Sequence, residues 1–244
     1  MHRKILGTVL AAAMILSASA CVLEFDNAGS MASGVLKEYK ETVYMNDTYQ
    51  KEKPMELNLD MKLAKALIDS TDDKLADVKF SYNSEILKPE FKVKDDGISL
   101  KNRLEGYSFG KAVNQWDVKI TDKLPLEVLM RADASDIKLN MSSMLISSVN
   151  IDSNASKLVI DLTGDYERDG EVRIEANASA VRLKQPENDG IQIMIDNYEI
   201  SSVSINNNKI LKQSEKEYLS NNYGNAERTL KIYADLKVTT LTIE

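Results

Sequence analysis

Residues 154–160 read NASKLVI, and close variants of this stretch recur on both sides of it in the chain. Residues 133–139 read DASDIKL and residues 177–183 read NASAVRL, so that the Ala-Ser pair repeats at spacings of 21 and 23 residues. A period in the low twenties, built from short strands, is typical of a solenoid in which each coil buries its apolar face against the next. The repeats therefore predict an all-β protein whose second half is a parallel, right-handed β-helix-like solenoid.

Each repeat also predicts a tight corner. Asp and Asn tolerate left-handed backbone better than other non-glycine residues, so the residue that opens each repeat is expected at the turn. The serine two positions later is expected to face inward, where space is short. The candidate corner residues are Asp133, Asn154, Asn177, Ser135, Ser156 and Ser179. A sandwich of unrelated hairpins would give similar alternation, but it would not explain the recurring corner residues.

Period-two alternation extends over the rest of the chain from residue 38. Residues 55–61 (MELNLDM) place their apolar side chains on one face, as half-buried strands do. We therefore expect an N-terminal β domain over residues 35–114 and the β-helical domain over 115–244. One helix is expected near Ser214, because Ser214 and Glu217 have the spacing of a capping box. Residues 206–225 could cap the end of the solenoid.

The N-terminus predicts export and lipidation. Residues 1–20 combine a cationic start, an apolar stretch and a small-residue run, which is the layout of a secretory signal peptide. A membrane-spanning helix is the alternative, but it needs about 20 predominantly apolar residues. Residues 18–21 (ASAC) resemble the lipobox of bacterial lipoproteins, which implies a lipid on Cys21. Residues 21–34 would then be the lipidated cysteine and a flexible tether; a secreted form cleaved after Ala18 or Ala20 is the competing possibility.

Composition excludes several classes of chemistry. The chain has one His and one Cys, at positions 2 and 21, so a processed chain would have no imidazole for a triad or a zinc site. After removal of residues 1–20 it would hold 29 basic and 38 acidic residues, a formal charge of −9, which disfavours nucleic acid as a partner. No cofactor is predicted.

Three other features of the sequence are candidate sites. The acidic pairs Asp72/Asp73, Asp95/Asp96 and Asp133/Asp136 could serve a glycosidase, but turn formation or solvated strand faces explain them more simply. Outward Asp residues could bind calcium, although no EF-hand loop or calcium-binding repeat occurs. The residues considered for calcium are Asp152, Asp161 and Asp196. Trp116 could stack on a sugar, but a single Trp on an alternating strand is more often in the core.

At these repeats the chain resembles the toast-rack family of bacterial envelope lipoproteins, whose parallel β-helical modules are grouped with adhesins. That family repeats Gly-Ala-Gly-Asp-Val-x-Leu, and residues 133–139 take the place of this motif. The family is related to the extracytoplasmic domain of proteins that respond to cell-wall-active antibiotics. Residues 96–100 (DGISL), 116–120 (WDVKI) and 223–230 (YGNAERTL) also have counterparts in it. The resemblance implies a fold and an envelope location, and it offers no catalytic or ligand residues.

Together these observations predict a non-enzymatic β-helical binding module on the extracytoplasmic face of a cell membrane, held there by its lipid. Its expected partners are the membrane and an envelope protein or a cell-wall component, with roles in envelope-stress modulation or adhesion. A carbohydrate-active hydrolase or lyase on the same scaffold is the alternative. Assembly through unpaired strand edges is a third possibility.

Overall fold

The computed structural model describes residues 35–45, 53–94, 96–104, 112–207 and 209–244. The predicted signal peptide, Cys21, the tether over residues 21–34 and Asp95 lie outside the described residues. Across the ranges that are described, no helix has the length and apolar character needed to cross a membrane.

The described chain forms strands and one 3₁₀ turn, and no α-helix was found in it. The strands of the first half are β1 Lys37–Val43, β2 Met55–Lys62, β3 Lys65–Thr71, β4 Ala76–Tyr82, β5 Pro89–Lys94, β6 Gly97–Asn102 and β7 Asn114–Thr121. Those of the second half are β8 Pro125–Asp133, β9 Asp136–Asn140, β10 Leu145–Asn154, β11 Lys157–Asp161, β12 Asp165–Asn177, β13 Ala180–Lys184, β14 Gly190–Glu199, β15 Ser202–Ile205, β16 Ile210–Lys212, β17 Glu217–Ser220, β18 Thr229–Lys237 and β19 Thr240–Ile243. The all-β prediction is confirmed.

The strands form two sheets that face each other across one core. The nine-stranded sheet has the order β1-β4-β7-β3-β9-β11-β13-β19-β15, and the ten-stranded sheet has the order β16-β17-β14-β18-β12-β10-β8-β2-β6-β5. Both sheets contain strands from the first and the second half of the chain. Most neighbouring pairs are parallel, and antiparallel pairs occur towards the ends of the sheets.

In the described residues, the chain passes six times from the ten-stranded sheet to the nine-stranded sheet through a corner of two residues. The strand pairs joined in this way are β2–β3, β8–β9, β10–β11, β12–β13, β14–β15 and β18–β19. The pairs from β8 to β13 stack in chain order, but β18–β19 inserts between β12–β13 and β14–β15. A solenoid in which every coil stacks on the preceding one is therefore not confirmed.

Alternation places the core between the sheets. In β2 the side chains of Leu57 and Leu59 are fully buried, while that of Asn58 between them faces outward. Trp116 is 2 % exposed and meets the Phe80 ring edge-on at 5.4 Å, so it is a core residue rather than a sugar-stacking platform. Its indole N–H donates to Asn114 Oδ1 at 2.7 Å.

The helix expected near Ser214 is wrong. Residues 213–217 form the turn of a hairpin, in which the Ser214 N–H donates to the Glu217 carbonyl, and β17 follows as a strand. Tyr218 packs against the core from this strand, and β17 pairs antiparallel with β14. Tertiary packing thus overrides the local capping signal. The hairpin β16–β17 extends the ten-stranded sheet beyond β14.

Candidate functional surfaces

The corners differ from the prediction by one residue. The left-handed backbone lies at the alanines Ala134, Ala155 and Ala178, with φ values of 48°, 51° and 48°, and not at the Asp or Asn before them. The equivalent corners at Leu63, Ile200 and Val238 have φ values of 50°, 49° and 53°. The N–H groups of these alanines continue the hydrogen bonds between parallel strands of neighbouring coils. The Ala134 and Ala155 N–H groups, for example, donate to the Asn154 and Asn177 carbonyls, respectively, at 2.9 Å. These bonds hold a conformation that costs a non-glycine residue about 1–2 kcal/mol.

A ladder of buried hydroxyls follows the corners. Ser135, Ser156 and Ser179 are 4–6 % exposed, and each accepts a hydrogen bond from the backbone N–H at the same position of a neighbouring coil. The donor–acceptor pairs, in stacking order, are Ala64 N to Ser135 Oγ (3.1 Å), Ser135 N to Ser156 Oγ (3.0 Å), Ser156 N to Ser179 Oγ (3.2 Å), Ser179 N to Thr239 Oγ1 (3.4 Å) and Thr239 N to Ser201 Oγ (3.0 Å). The serines thus have a structural role inside the stack.

The Asp and Asn of the corners lie instead on the outer face of the ten-stranded sheet. Asp133, Asn154 and Asn177 are in register on β8, β10 and β12, and Asn177 Nδ2 donates to Asn154 Oδ1 at 3.3 Å. With Lys62 and Lys237 they line one end of a shallow groove of about 420 Å³.

A second depression of about 530 Å³ continues this groove across the sheet, lined by Asn58, Asp60 and Asn150 among others. The two depressions share Arg131, Asp152 and Glu175. Because the strands are parallel and in register, side chains of equivalent positions stand in rows about 4.8 Å apart. One such row runs from Asp60 through Arg131, Asp152 and Glu175 to Asp235.

The electrostatics of the groove are mixed, because five carboxylates, two arginines and two lysines line it. Arg131 Nε lies 3.2 Å from Asp152 Oδ2, so this pair is neutralised. In the next row the Arg173 guanidinium lies 4.9 Å from the centre of the Tyr233 ring, in cation–π geometry. At the floor of the groove, Asp60 Oδ1 is buried and lacks a hydrogen-bond partner among the described residues. The surface therefore offers acceptors, two guanidinium groups and an aromatic edge.

The family follows from a sequence match. A family model described as "N-terminal domain of toast_rack, DUF2154" matches residues 32–184, which is more than half of the chain. The chain belongs to the toast-rack family. No curated protein shows significant similarity to it in sequence.

One solved structure is similar enough to show the fold of this toast-rack chain, and two others are more distant. A "putative cell adhesion protein" from Clostridium sporogenes has 21 % sequence identity and a TM-score of 0.71, over 86 % of this chain and 99 % of the other. A "putative adhesin" from Bacteroides fragilis has 11 % identity and a TM-score of 0.33, over 88 % and 100 % of the two chains. Another from Parabacteroides distasonis has 12 % identity and a TM-score of 0.29, over 86 % and 98 %. The Clostridium structure supports the fold.

Two of the acidic combinations predicted for catalysis or calcium are divided between the two sheets of this toast-rack chain. Asp133 ends a strand of the ten-stranded sheet, whereas Asp136 begins a strand of the other. Asp152 and Asp161 likewise lie on different sheets. Within the described ranges, no group of three or more His, Cys, Asp or Glu side chains is placed to hold a metal ion.

Asp161 has a different role at the end of β11. Partial burial disfavours its charged form, but hydrogen bonds from the Thr163 hydroxyl and N–H and from Lys184 Nζ outweigh this and lower its pKa. It therefore stabilises the turn that returns the chain to the ten-stranded sheet. Nearby, burial raises the pKa of Tyr166, whose hydroxyl donates to the Leu162 carbonyl at 3.0 Å.

Proposed function

We propose that this protein is a non-enzymatic binding module of the bacterial cell envelope, and that it adheres to an uncharged, hydroxyl-rich polymer through the outer face of its ten-stranded sheet. The observation that carries the proposal is the continuous groove whose rows of polar side chains include Arg131, Asp152 and Asn150. A polysaccharide supplies hydroxyl groups that both donate and accept, as this mixture of carboxylates, amides and guanidinium groups requires.

Two further features support this ligand class. Asp60 Oδ1 is buried and has no hydrogen-bond partner in the described part of the chain, which costs about 1–3 kcal/mol until a donor reaches it. The formal net charge of −7 disfavours polyanions such as phosphate-rich polymers. The Clostridium structure, named for cell adhesion, is consistent with the same role, although its likeness concerns the fold.

The predicted anchor belongs to this proposal. A lipid on Cys21 would hold the two-sheet domain beside a membrane, on its extracytoplasmic face, through the tether over residues 21–34. Several acyl chains anchor firmly because each buried CH₂ contributes about 0.8 kcal/mol. In this arrangement the domain acts by binding and not by catalysis. Envelope-stress modulation would depend on the same binding contacts.

The test is binding to an array of uncharged glycans and to an insoluble neutral polysaccharide, with one variant in the groove and a matched one outside it. Arg131 and Arg182 have side chains that are 60 % and 58 % exposed, and each pairs with one carboxylate. Arg182 lies on the nine-stranded sheet. We expect Arg131→Ala to weaken binding about tenfold and Arg182→Ala to leave it within about twofold. Absence of glycan binding, or equal losses, would refute the proposal.

A further inference from the structure

The two sheets end in four edge strands, and one of them differs from the rest. β1 reads KEYKETV, β5 reads PEFKVK and β16 ends on Lys212. Charged residues and proline on an edge strand protect it against pairing with another chain. β15 reads SVSI and has neither. In the part of the chain that the structure describes, β15 pairs with β19 on one side and with no strand on the other.

The backbone of β15 is arranged to accept another strand. The N–H groups of Ser202 and Asn206 donate to carbonyls of the β19 segment, Thr239 and Ile243, at 2.9 and 2.8 Å. Backbone groups alternate in direction along a strand, so those of Val203 and Ile205 face the free edge. Only another extended backbone offers donors and acceptors at the same spacing.

The side chains beside this edge are also incompletely covered. Leu241 and Ile243 of β19 are fully buried, but their partners in register, Val203 and Ile205, are only half-buried. Ile200, at the preceding corner, is 62 % exposed. A strand added here would cover the apolar pair on one face and place its own polar residues beside Ser202 and Ser204 on the other.

A second copy of this chain does not fit the edge. At the same end of the molecule, β17 and β16 extend the ten-stranded sheet beyond β14 by two strands, or about 10 Å. Twofold pairing of two β15 strands would bring these hairpins into the same space. A single extended segment has no such conflict.

We propose that the free edge of β15 binds an extended segment of a partner protein, with apolar and polar residues in alternation, as a tenth strand of the nine-stranded sheet. This is β-strand addition, in which main-chain hydrogen bonds provide affinity and alternate side chains provide specificity. The site is separate from the groove on the ten-stranded sheet, and its test does not depend on glycan binding.

The test uses a fluorescent peptide copying residues 237–244 (KVTTLTIE), because this segment contains the strand that already pairs with β15. Val203→Pro removes an N–H that faces the free edge, and proline is tolerated on edge strands. We expect this variant to bind the peptide at least about tenfold more weakly, while Val203→Thr, which keeps the N–H, stays within about threefold. Thermal unfolding checks that both variants fold.

Hydrogen exchange on the unmodified protein gives a second readout. The peptide should slow exchange of the Val203 and Ile205 amides and leave those of β1 unchanged. The proposal is overturned if the peptide does not bind, if it binds Val203→Pro as well as the unmodified protein, or if protection appears elsewhere. A concentration-dependent dimer joined through β15 would also overturn it, in favour of self-association.

Discussion

Removal of one hydroxyl from the corner ladder tests whether the ladder holds the stack together. In Ser156→Ala the Ser135 N–H loses its acceptor, which lies at 3.0 Å, and both residues are buried. Ser156 Oγ also lies 2.9 Å from the Ala132 carbonyl and 3.0 Å from the Asn154 carbonyl, and the Asn154 carbonyl keeps the Ala134 N–H as a donor. The cost is therefore that of one buried, unsatisfied N–H together with the hydroxyl donor that the Ala132 carbonyl loses.

We expect Ser156→Ala to lower the free energy of unfolding by about 2 kcal/mol, from the range of 1–3 kcal/mol for a buried group without a partner. For a domain of this size that is a fall in Tm of about 4–8 °C. Ser204→Ala is the control, because Ser204 is exposed and its Oγ, among the residues that the structure describes, bonds only the Asn206 side chain. The free energy of unfolding of Ser204→Ala should stay within about 0.5 kcal/mol of that of the unmodified protein.

Urea unfolding followed by Trp116 fluorescence measures both variants. This residue is the only Trp in the chain and is buried against Phe80, so its emission reports loss of the core. Equal stabilities of Ser156→Ala and Ser204→Ala would refute the view that the hydroxyls support the corners. Loss of stability in both variants would point to strand propensity instead.

Four further outcomes are expected. Ile200→Asn should raise the free energy of unfolding by about 0.5–1 kcal/mol, because Ile200 is exposed and has a left-handed φ of 49°, which Asn tolerates better than Ile. A lower free energy of unfolding in urea would contradict this. Gly164→Ala should lower the free energy of unfolding by more than about 2 kcal/mol or prevent folding, because a Cβ would lie 2.1 Å from the Met141 carbonyl oxygen. Gly224→Ala is the control and should leave the free energy of unfolding unchanged in the same assay, because the space around Gly224 is open. Because the folded pKa of Asp161 is lowered, its stabilisation is present above the unfolded pKa of about 3.9 and is lost as pH falls through the folded value. Asp161→Asn should therefore be less stable than the unmodified protein at pH 6 and approach it below about pH 4 in urea titrations, and a constant difference would argue against this role. Cys21→Ala should move the protein from the membrane to the soluble fraction of fractionated cells, and retention in the membrane would exclude the lipid anchor.

The sequence predicted the features that repeat and missed those that depend on distant contacts. The Ala-Ser period indicated parallel strands, and it marked the corners to within one residue. It did not reveal that Ala155 rather than Asn154 takes the left-handed conformation, because the ladder hydrogen bonds that hold the alanine come from the next coil. The insertion of β18–β19 between earlier coils leaves no local signal, since both neighbours in each sheet offer the same alternating pattern.

The candidate surface was less predictable than the fold, for a related reason. Inward residues are constrained by the core, so their pattern can be read along one strand. The groove depends on which outward residues of different strands become neighbours, and Asp60 meets Arg131 only because β2 pairs with β8, far along the chain. The repeats group Asp133, Asn154 and Asn177 as a set, but the outward position of these residues depends on the register of β8, β10 and β12.

The same separation of faces explains how this fold can serve binding. The core and the buried hydroxyl ladder fix the positions of the strands, whereas the outward rows contribute little to stability and can vary freely. A surface on parallel strands of fixed register is also preorganised, so few side-chain and no main-chain rearrangements oppose binding. By contrast, β15 offers its backbone rather than its side chains, and its specificity would rest on Val203 and Ile205. Under the two proposals, the molecule would bind a polymer through side chains of one sheet and a protein through a strand edge of the other.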